Sequence, residues 1–141
     1  MKNYILSITS FVTIALMFSC TSRQEKYENR LKQFITTYEA RAIPLYRDAA
    51  LASWNANVTG TDEDYAKSEK ASFELAKIYT DSVAFAELKE ISESGEVKDS
   101  LLARQLELLY NSYLGGQVDP ELLAEQIRME TEISKKYSNF R

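Results

Sequence analysis

The chain has 141 residues, of which 27% are charged and 45% hydrophobic, and its formal net charge is −4. This composition is typical of one globular domain with a hydrophobic core. Its Lys and Arg residues are scattered, which excludes the clustered positive charge that nucleic-acid binding requires. The chain contains no His, which excludes a His-Glu-x-x-His zinc site, a Ser-His-Asp triad and a Cys-His pair. We therefore predict no catalytic, cofactor-binding or metal-binding residue, and no nucleic-acid partner.

The first twenty residues have the pattern of a secretion signal. Lys2 is followed by the mainly apolar run Tyr4 to Phe18, which is too short for the ~20 residues that a membrane-spanning helix needs. The run ends at Ser19-Cys20, and a small residue directly before Cys resembles the lipobox of bacterial lipoproteins. This resemblance implies cleavage before Cys20 and lipid attachment to Cys20, the only cysteine.

These features predict the organisation of the chain. Residues 1–19 are a lipoprotein signal peptide, residues 20–26 a polar tether, and residues 27–141 a helical domain. The predicted location is the bacterial cell envelope, with the protein held on a membrane by its lipid and facing the periplasm or the exterior. The alternative is an ordinary secretory signal in which Cys20 occurs by chance.

The first predicted helix runs from about Glu25 to Trp54. Apolar residues recur there every three or four positions, as on one face of a helix, and Pro44 predicts a kink because it removes a backbone hydrogen bond. We expect Trp54 to anchor the end of this helix in the core. The apolar face consists of Tyr27, Leu31, Phe34, Tyr38, Ala42, Leu45, Ala49 and Ala52.

The second predicted helix follows a break at Gly60. Thr61 is a suitable N-cap, with Asp64 three residues later in a capping-box position. The helix runs from Asp62 to about Ser94-Gly95, with a bend or restart at Thr80-Asp81-Ser82. The nearby Asn57-Val58-Thr59 fits a glycosylation pattern, but we expect Asn57 to cap backbone at the turn instead.

The third and fourth predicted helices occupy the rest of the chain. The third spans about Val97 to Leu114, and its apolar stripe is wider than one neighbouring helix would cover, which predicts an exposed apolar patch. The fourth begins at Asp119-Pro120, an N-cap followed by the residue favoured at the first helical position. Its pattern continues to Phe140-Arg141, which suggests either a longer protein or a frayed natural end. The wide stripe consists of Leu101, Leu102, Leu106, Leu108 and Leu109.

The predicted fold class is therefore all-α, with about four long helices in an antiparallel, hairpin-like bundle. The acidic cluster at Asp62-Glu63-Asp64 is explained by a helix start, where acids offset the helix dipole. The cluster from Glu90 to Glu96 flanks a loop, and because neither cluster has a Gly at EF-hand spacing, we predict no metal site in either. The nine Tyr and six Phe residues could line a ligand groove, but we expect most of them to pack in the core.

Three stretches carry a family resemblance. They are Trp54-Asn55-Ala56-Asn57-Val58-Thr59, the run from Asp99 to Tyr110, and the closing run from Glu132 to Arg141. Their order and spacing resemble the N-terminal region of angiotensin-converting-enzyme-like peptidyl dipeptidases, a gluzincin family of zinc metallopeptidases. The match extends over about Tyr27 to Arg141, nearly the whole predicted mature chain.

The resemblance implies that the chain corresponds to the helical lid over the peptide cleft of that family. The zinc ligands and the general base of the family lie in a downstream region that has no counterpart here, so zinc is implied only for the complete family. The resemblance also implies short peptides as substrates of the complete enzyme, and a C-terminal catalytic partner or domain. Trp54 and its Asn neighbours would then form the corner that joins the first two helices of the lid, and they would take no part in catalysis.

Two other functions compete with this interpretation. The chain could be a small, self-sufficient helical envelope lipoprotein that acts as a binding or interaction module. A stand-alone enzyme would need catalysis by Asp, Glu, Lys, Ser and Tyr alone, and no convincing cluster of these residues occurs in the sequence. We therefore predict that the chain alone is inactive.

Overall fold

A computed structural model of the protein describes residues 22–140. Between these limits the chain is all-α, as predicted, and forms no strand. One 3₁₀ turn, Lys77–Thr80, accompanies five α-helices in the described range. These are α1 (Arg23–Thr59), α2 (Asp62–Ala76), α3 (Ser82–Ser94), α4 (Ser100–Gly115) and α5 (Pro120–Ser138).

Helix α1 is the axis of the structure. It begins at Arg23, so residues 23–26, predicted as tether, form its first turn. It continues as one helix on both sides of Pro44, and the kink predicted there stays a prediction. Helices α3 and α4 pack against each other and against α1, while α2 folds back along α1 and carries α5.

The second predicted helix is two helices. The 3₁₀ turn ends α2, and the Asp81 carboxylate then accepts hydrogen bonds from the backbone N–H groups of Val83 and Ala84, both at 3.0 Å. Asp81 is thus the N-cap of α3 and satisfies donors that a new helix leaves unpaired. The predicted restart at Thr80-Asp81-Ser82 is confirmed, and a single continuous helix is excluded.

The other predicted helix ends are mostly confirmed. Thr61 caps α2 by accepting from the Asp64 N–H at 3.3 Å, and Asp119 caps α5, with Pro120 as its first residue. Helix α5 ends earlier than predicted, at Ser138, because Asn139 takes a non-helical conformation and serves as its C-cap. Arg141 lies outside the described residues.

The core lies where α3 and α4 meet the first half of α1. Leu31, Leu88 and Ile91 are completely buried, and each comes from an apolar position that recurs at helical spacing. The predicted stripe of α1 is also confirmed, since Ala42 and Ala49 are buried on it. Burial of such side chains is the main source of stability in a helical domain.

Glu28 ties α1 to the loop before α4. Its Oε1 atom accepts hydrogen bonds from the backbone N–H groups of Lys98 and Asp99, both at 3.1 Å. A hydrogen bond from Gln24, together with those two N–H groups, holds the pKa of the Glu28 carboxyl below its ordinary value. The ionised form is therefore favoured in the folded state.

We expect Glu28→Gln to destabilise the protein at neutral pH and to have little effect in acid. Because the folded pKa of Glu28 is lowered, its contribution is present above the unfolded pKa and is lost as the pH falls through the folded pKa. Urea unfolding midpoints at pH 7 and pH 3 measure this difference. The control is Glu39→Gln on the same helix, since Glu39 forms no ion pair or hydrogen bond with described side chains. Equal effects of the two substitutions at pH 7 would contradict the prediction.

Candidate functional site

Trp54 lies on the surface, so the predicted core position is wrong. Its side chain is 69% exposed, whereas Ala56 is completely buried. The corner that Trp54 was expected to mark lies at Gly60, whose φ of 69° ends α1 in the left-handed conformation. At 100° per residue, Trp54 lies about 140° around the helix from the buried Ala49. Helical periodicity therefore takes Trp54 off the buried stripe.

Asn57 connects three helices, a role that the sequence did not reveal. Its Oδ1 atom accepts hydrogen bonds from the hydroxyls of Tyr65 on α2, at 3.2 Å, and Ser138 on α5, at 2.9 Å. The expected capping of local backbone by this side chain is not observed. Instead, Asn139 donates its side-chain N–H to the Gly60 carbonyl, 3.2 Å away. These bonds fix the end of α5 to the α1–α2 corner.

Helices α1 and α5 run in the same direction. Helix α2 folds back after a two-residue connection and is antiparallel to α1. Lys135 near the end of α5 pairs with Asp62 at the start of α2, while Ile127, earlier in α5, lies with Ser72, later in α2. Helix α5 is therefore antiparallel to α2 and parallel to α1.

Exposed apolar residues of α1 and α5 lie on the same side of the molecule. Trp54 is one turn before Asn57, and Ile133 and Tyr137 directly precede the two serines that face Asn57, Ser134 and Ser138. Helical spacing directs the exposed apolar side chains of α1 and those of α5 away from α2. We name this surface the α1–α5 face, and its members are Trp54, Val58, Met129, Ile133 and Tyr137.

The α1–α5 face presents large apolar side chains to solvent. Trp54 is 69%, Ile133 65% and Tyr137 86% exposed. At about 150–250 Å² per aromatic side chain, Trp54 and Tyr137 expose roughly 300 Å² between them. Exposed apolar patches of a few hundred Å² often have a function in soluble proteins.

The wide stripe predicted on α4 divides between core and surface. Leu102 and Leu106 are buried, and Leu109 packs against the core. Leu101 and Leu108 are 68% and 52% exposed. The prediction that the apolar stripe of α4 is wider than its neighbouring helices cover is therefore confirmed.

A cleft of about 360 Å³ lies between the first half of α1, the start of α3 and the end of α4. Aromatic side chains form its floor, and the Phe34 and Tyr113 rings meet edge to face with centroids 5.8 Å apart. Two arginines and two acids line it, together with smaller polar and apolar groups. The lining residues are Arg30, Gln33, Phe34, Thr37, Tyr38, Arg41, Asp81, Val83, Ala84, Glu87 and Tyr113.

Tyrosine hydroxyls beside the cleft form a short hydrogen-bonded chain. The Tyr79 hydroxyl lies 2.7 Å from that of Tyr38 and 2.6 Å from that of Tyr46. Burial, followed by the hydrogen bond with Tyr38, raises the pKa of Tyr79 well above its ordinary value. Burial and then the Asp81 carboxylate raise the pKa of Tyr113 to about 12. The Tyr79 and Tyr113 hydroxyls are therefore protonated at neutral pH.

The predicted aromatic core is confirmed in part. Phe34, Tyr38, Tyr79 and Tyr113 belong to or pack against the core cluster. Three of them also line the cleft. The same aromatic side chains therefore pack in the core and line a groove.

The acidic clusters lie where they were expected, one at the start of α2 and the other, Glu90 to Glu96, at the end of α3 and in the loop that follows. Asp62, Glu63 and Asp64 form the first turn of α2. Within residues 22–140, no three His, Cys, Asp or Glu side chains come close enough together to hold a metal ion. Cys20, the predicted lipid-attachment residue, lies outside the described residues.

Comparisons with known proteins give no further assignment, since no protein-family model and no solved structure matches the chain. None of the helices between residues 22 and 140 combines the length and apolar character needed to cross a membrane.

Proposed function

We propose that this chain is the N-terminal helical lid segment of a lipid-anchored, peptidyl-dipeptidase-like zinc metallopeptidase. The resemblance of its Trp54–Thr59, Asp99–Tyr110 and Glu132–Arg141 stretches to that family supports the proposal. In this role the segment would restrict entry to short peptides. The zinc and its ligands would belong to a catalytic part that this sequence does not contain.

The α1–α5 face is the structural observation on which the proposal depends most. A lid segment must pack against the body that it covers, and packing requires exposed apolar surface. The face supplies rigid aromatic side chains, which dominate the binding energy of protein interfaces. It also includes Trp54, so the residue that carries much of the resemblance lies on the surface available for docking.

The coding DNA downstream of Arg141 gives the most direct test. We expect a reading frame that encodes a His-Glu-x-x-His helix, in phase or as a separate gene. Co-expression of that product with this chain should give chelator-sensitive release of dipeptides from a blocked short peptide, and this chain alone should give none. Unrelated downstream sequence would contradict the proposal.

Trp54→Ala should impair this assembly while the chain stays folded. Because the side chain is 69% exposed, its removal should change stability by less than about 0.5 kcal/mol. As a hot-spot residue of the interface, Trp54 should contribute about 2 kcal/mol to binding, so its loss should weaken the affinity roughly thirtyfold. Leu114→Ala is the control, since Leu114 is 51% exposed on α4, outside the face. Equal affinity of both variants for the catalytic part, measured by titration, would argue against this use of the face.

We also propose that Cys20 carries the lipid that holds the protein on a bacterial envelope membrane. Cys20→Ser should move the protein from the membrane fraction to the soluble fraction, or leave an unprocessed precursor. Labelled fatty acid should be incorporated only into the chain with Cys20. Equal labelling of the variant would show that the lipobox interpretation is wrong.

A self-sufficient helical binding module is the second candidate. The observation that favours it is the closed core, in which Leu31, Leu88 and Ile91 are completely buried without help from any further domain. This candidate predicts a stable, dye-negative monomer. The lid proposal predicts self-association or binding of a hydrophobic dye through the α1–α5 face.

A further inference from the structure

The aromatic cleft contains hydrogen-bond donors that the fold leaves without acceptors. Tyr113 is 2% exposed and lines the cleft, yet its hydroxyl makes no hydrogen bond to any group in residues 22–140. No fully enclosed side-chain oxygen or nitrogen in this range lacks a partner, so the Tyr113 hydroxyl opens into the cleft. Solvent in the cleft reaches this hydroxyl, and no group of the described fold accepts its proton. This atom is therefore a place where a ligand oxygen would be favourable.

Arg41 supplies the second uncommitted donor group. Its guanidinium lies 4.0 Å from the Asp81 carboxylate, which is beyond hydrogen-bond distance, and the side chain is 58% exposed. Arg30, on the same wall, is instead committed to Glu90 through two hydrogen bonds of 2.7 and 3.0 Å. Arg41 therefore keeps its planar fork of N–H donors available.

Each acid of the cleft has an arginine beside it, since the second oxygen of Asp81 is the atom 4.0 Å from Arg41. One oxygen of Asp81 accepts from two backbone N–H groups of α3, and the positive end of that helix offsets part of its charge. Glu87 lies 3.7 Å from Arg30. The lining therefore has balanced charge, two arginines and two acids. The Arg41 guanidinium and the Tyr113 hydroxyl are donors that make no hydrogen bond within residues 22–140, and they line the cleft together with the apolar rings of Phe34 and Tyr38.

We propose that this cleft binds a small carboxylate that carries an aromatic or aliphatic group. The Arg41 guanidinium would pair with the carboxylate, and the Tyr113 hydroxyl would donate to one of its oxygens. The apolar group would lie on Phe34 and Tyr38. The site is independent of the α1–α5 face and of the proposed lid function, because it occupies a different surface and uses different residues.

The test compares two probes that differ only in the charged group. N-acetylphenylalanine has the carboxylate, and N-acetylphenylalaninamide replaces it with a neutral amide of similar shape. Titration of the full chain, followed by ¹H–¹⁵N NMR, should show saturable shifts near Thr37 and Ala84 with the acid. The amide should bind at least tenfold more weakly, because a hydrogen-bonded charge pair is lost. Equal affinity of the two probes, or no saturable shift with millimolar acid, would overturn the proposal.

Single substitutions test which side chains of the cleft bind the carboxylate. Arg41→Gln should weaken binding of the acid by about tenfold or more, whereas Arg47→Gln should leave it unchanged, since Arg47 pairs with Asp48 outside the cleft. Tyr113→Phe should weaken binding about fivefold and leave the unfolding midpoint equal or higher, because the lost hydroxyl has no partner in the fold. A Tyr113→Phe variant that binds normally and is less stable would show that the hydroxyl serves structure instead.

Discussion

Leu88→Ala is expected to lower the free energy of unfolding by about 2–5 kcal/mol. Leu88 is completely buried on α3, in the cluster that joins α3 and α4 to the first half of α1. Truncation removes the transfer free energy of the lost carbons and leaves a cavity that close-packed neighbours fill only partly. Since a small domain is stable by about 5–15 kcal/mol, this loss is large enough to populate the unfolded state.

Leu101→Ala is the matched control for this prediction. It is the same chemical change on α4, but Leu101 is 68% exposed, so the expected loss is less than about 0.5 kcal/mol. Urea unfolding followed by circular dichroism measures both variants. Equal midpoints for the two would show that the α1–α3–α4 cluster is not the stabilising core.

Helix positions and the core stripe of α1 could be predicted from the sequence because both depend on local chemistry. Thr61, Asp119 and Gly60 act at helix ends through their own side chains or backbone, and apolar spacing selects the buried face of α1. At Thr80-Asp81-Ser82 the sequence predicted a bend or a restart without distinguishing the two. The capping of Val83 and Ala84 by Asp81 shows that it is a restart.

The position of Trp54 could not be predicted in the same way. A single Trp beside Asn residues is typical of a buried anchor at a helix end, because large aromatic side chains usually gain from burial. The end of α1 is set instead by Gly60, six residues later, so Trp54 stays inside the helix and points about 140° away from the buried Ala49. An error of a few residues in a helix boundary is common, and here it reversed the predicted burial of a key side chain.

The candidate sites depend on contacts between distant parts of the chain. Arg41 and Tyr113 are 72 positions apart, and each fits an ordinary helical pattern that gives no sign of a shared cleft. The hydrogen bonds of Asn57 to α5 are equally remote in sequence. Sequence periodicity shows which face of a helix is apolar, but it does not show which helices leave that face uncovered. The α1–α5 face and the cleft therefore required the tertiary structure.

Gly116→Ala should be strongly destabilising, for a reason that involves no backbone strain. The φ of Gly116 is −83°, which Ala adopts freely. A Cβ atom there would lie 2.6 Å from the carbonyl oxygen of Tyr79 and 2.8 Å from its carbonyl carbon, and would also overlap the Tyr79 Cβ. Since backbone cannot move aside as a flexible side chain can, the end of α4 must shift away from the 3₁₀ turn. That shift would also break the hydrogen bond from Gln117 to the Tyr79 carbonyl, now 2.8 Å.

The expected loss is about 2–3 kcal/mol, from overpacking and the broken hydrogen bond together. Gly115→Ala provides the control in the adjacent position, because a Cβ there meets no atom within 4 Å. In the last residue of α4, Ala should leave stability unchanged or raise it by up to about 1 kcal/mol. Thermal unfolding of both variants measures the contrast. If Gly116→Ala unfolds at the same midpoint temperature as the wild type, α4 does not approach the 3₁₀ turn as closely as described. The cleft that Tyr113 lines would then have a different shape.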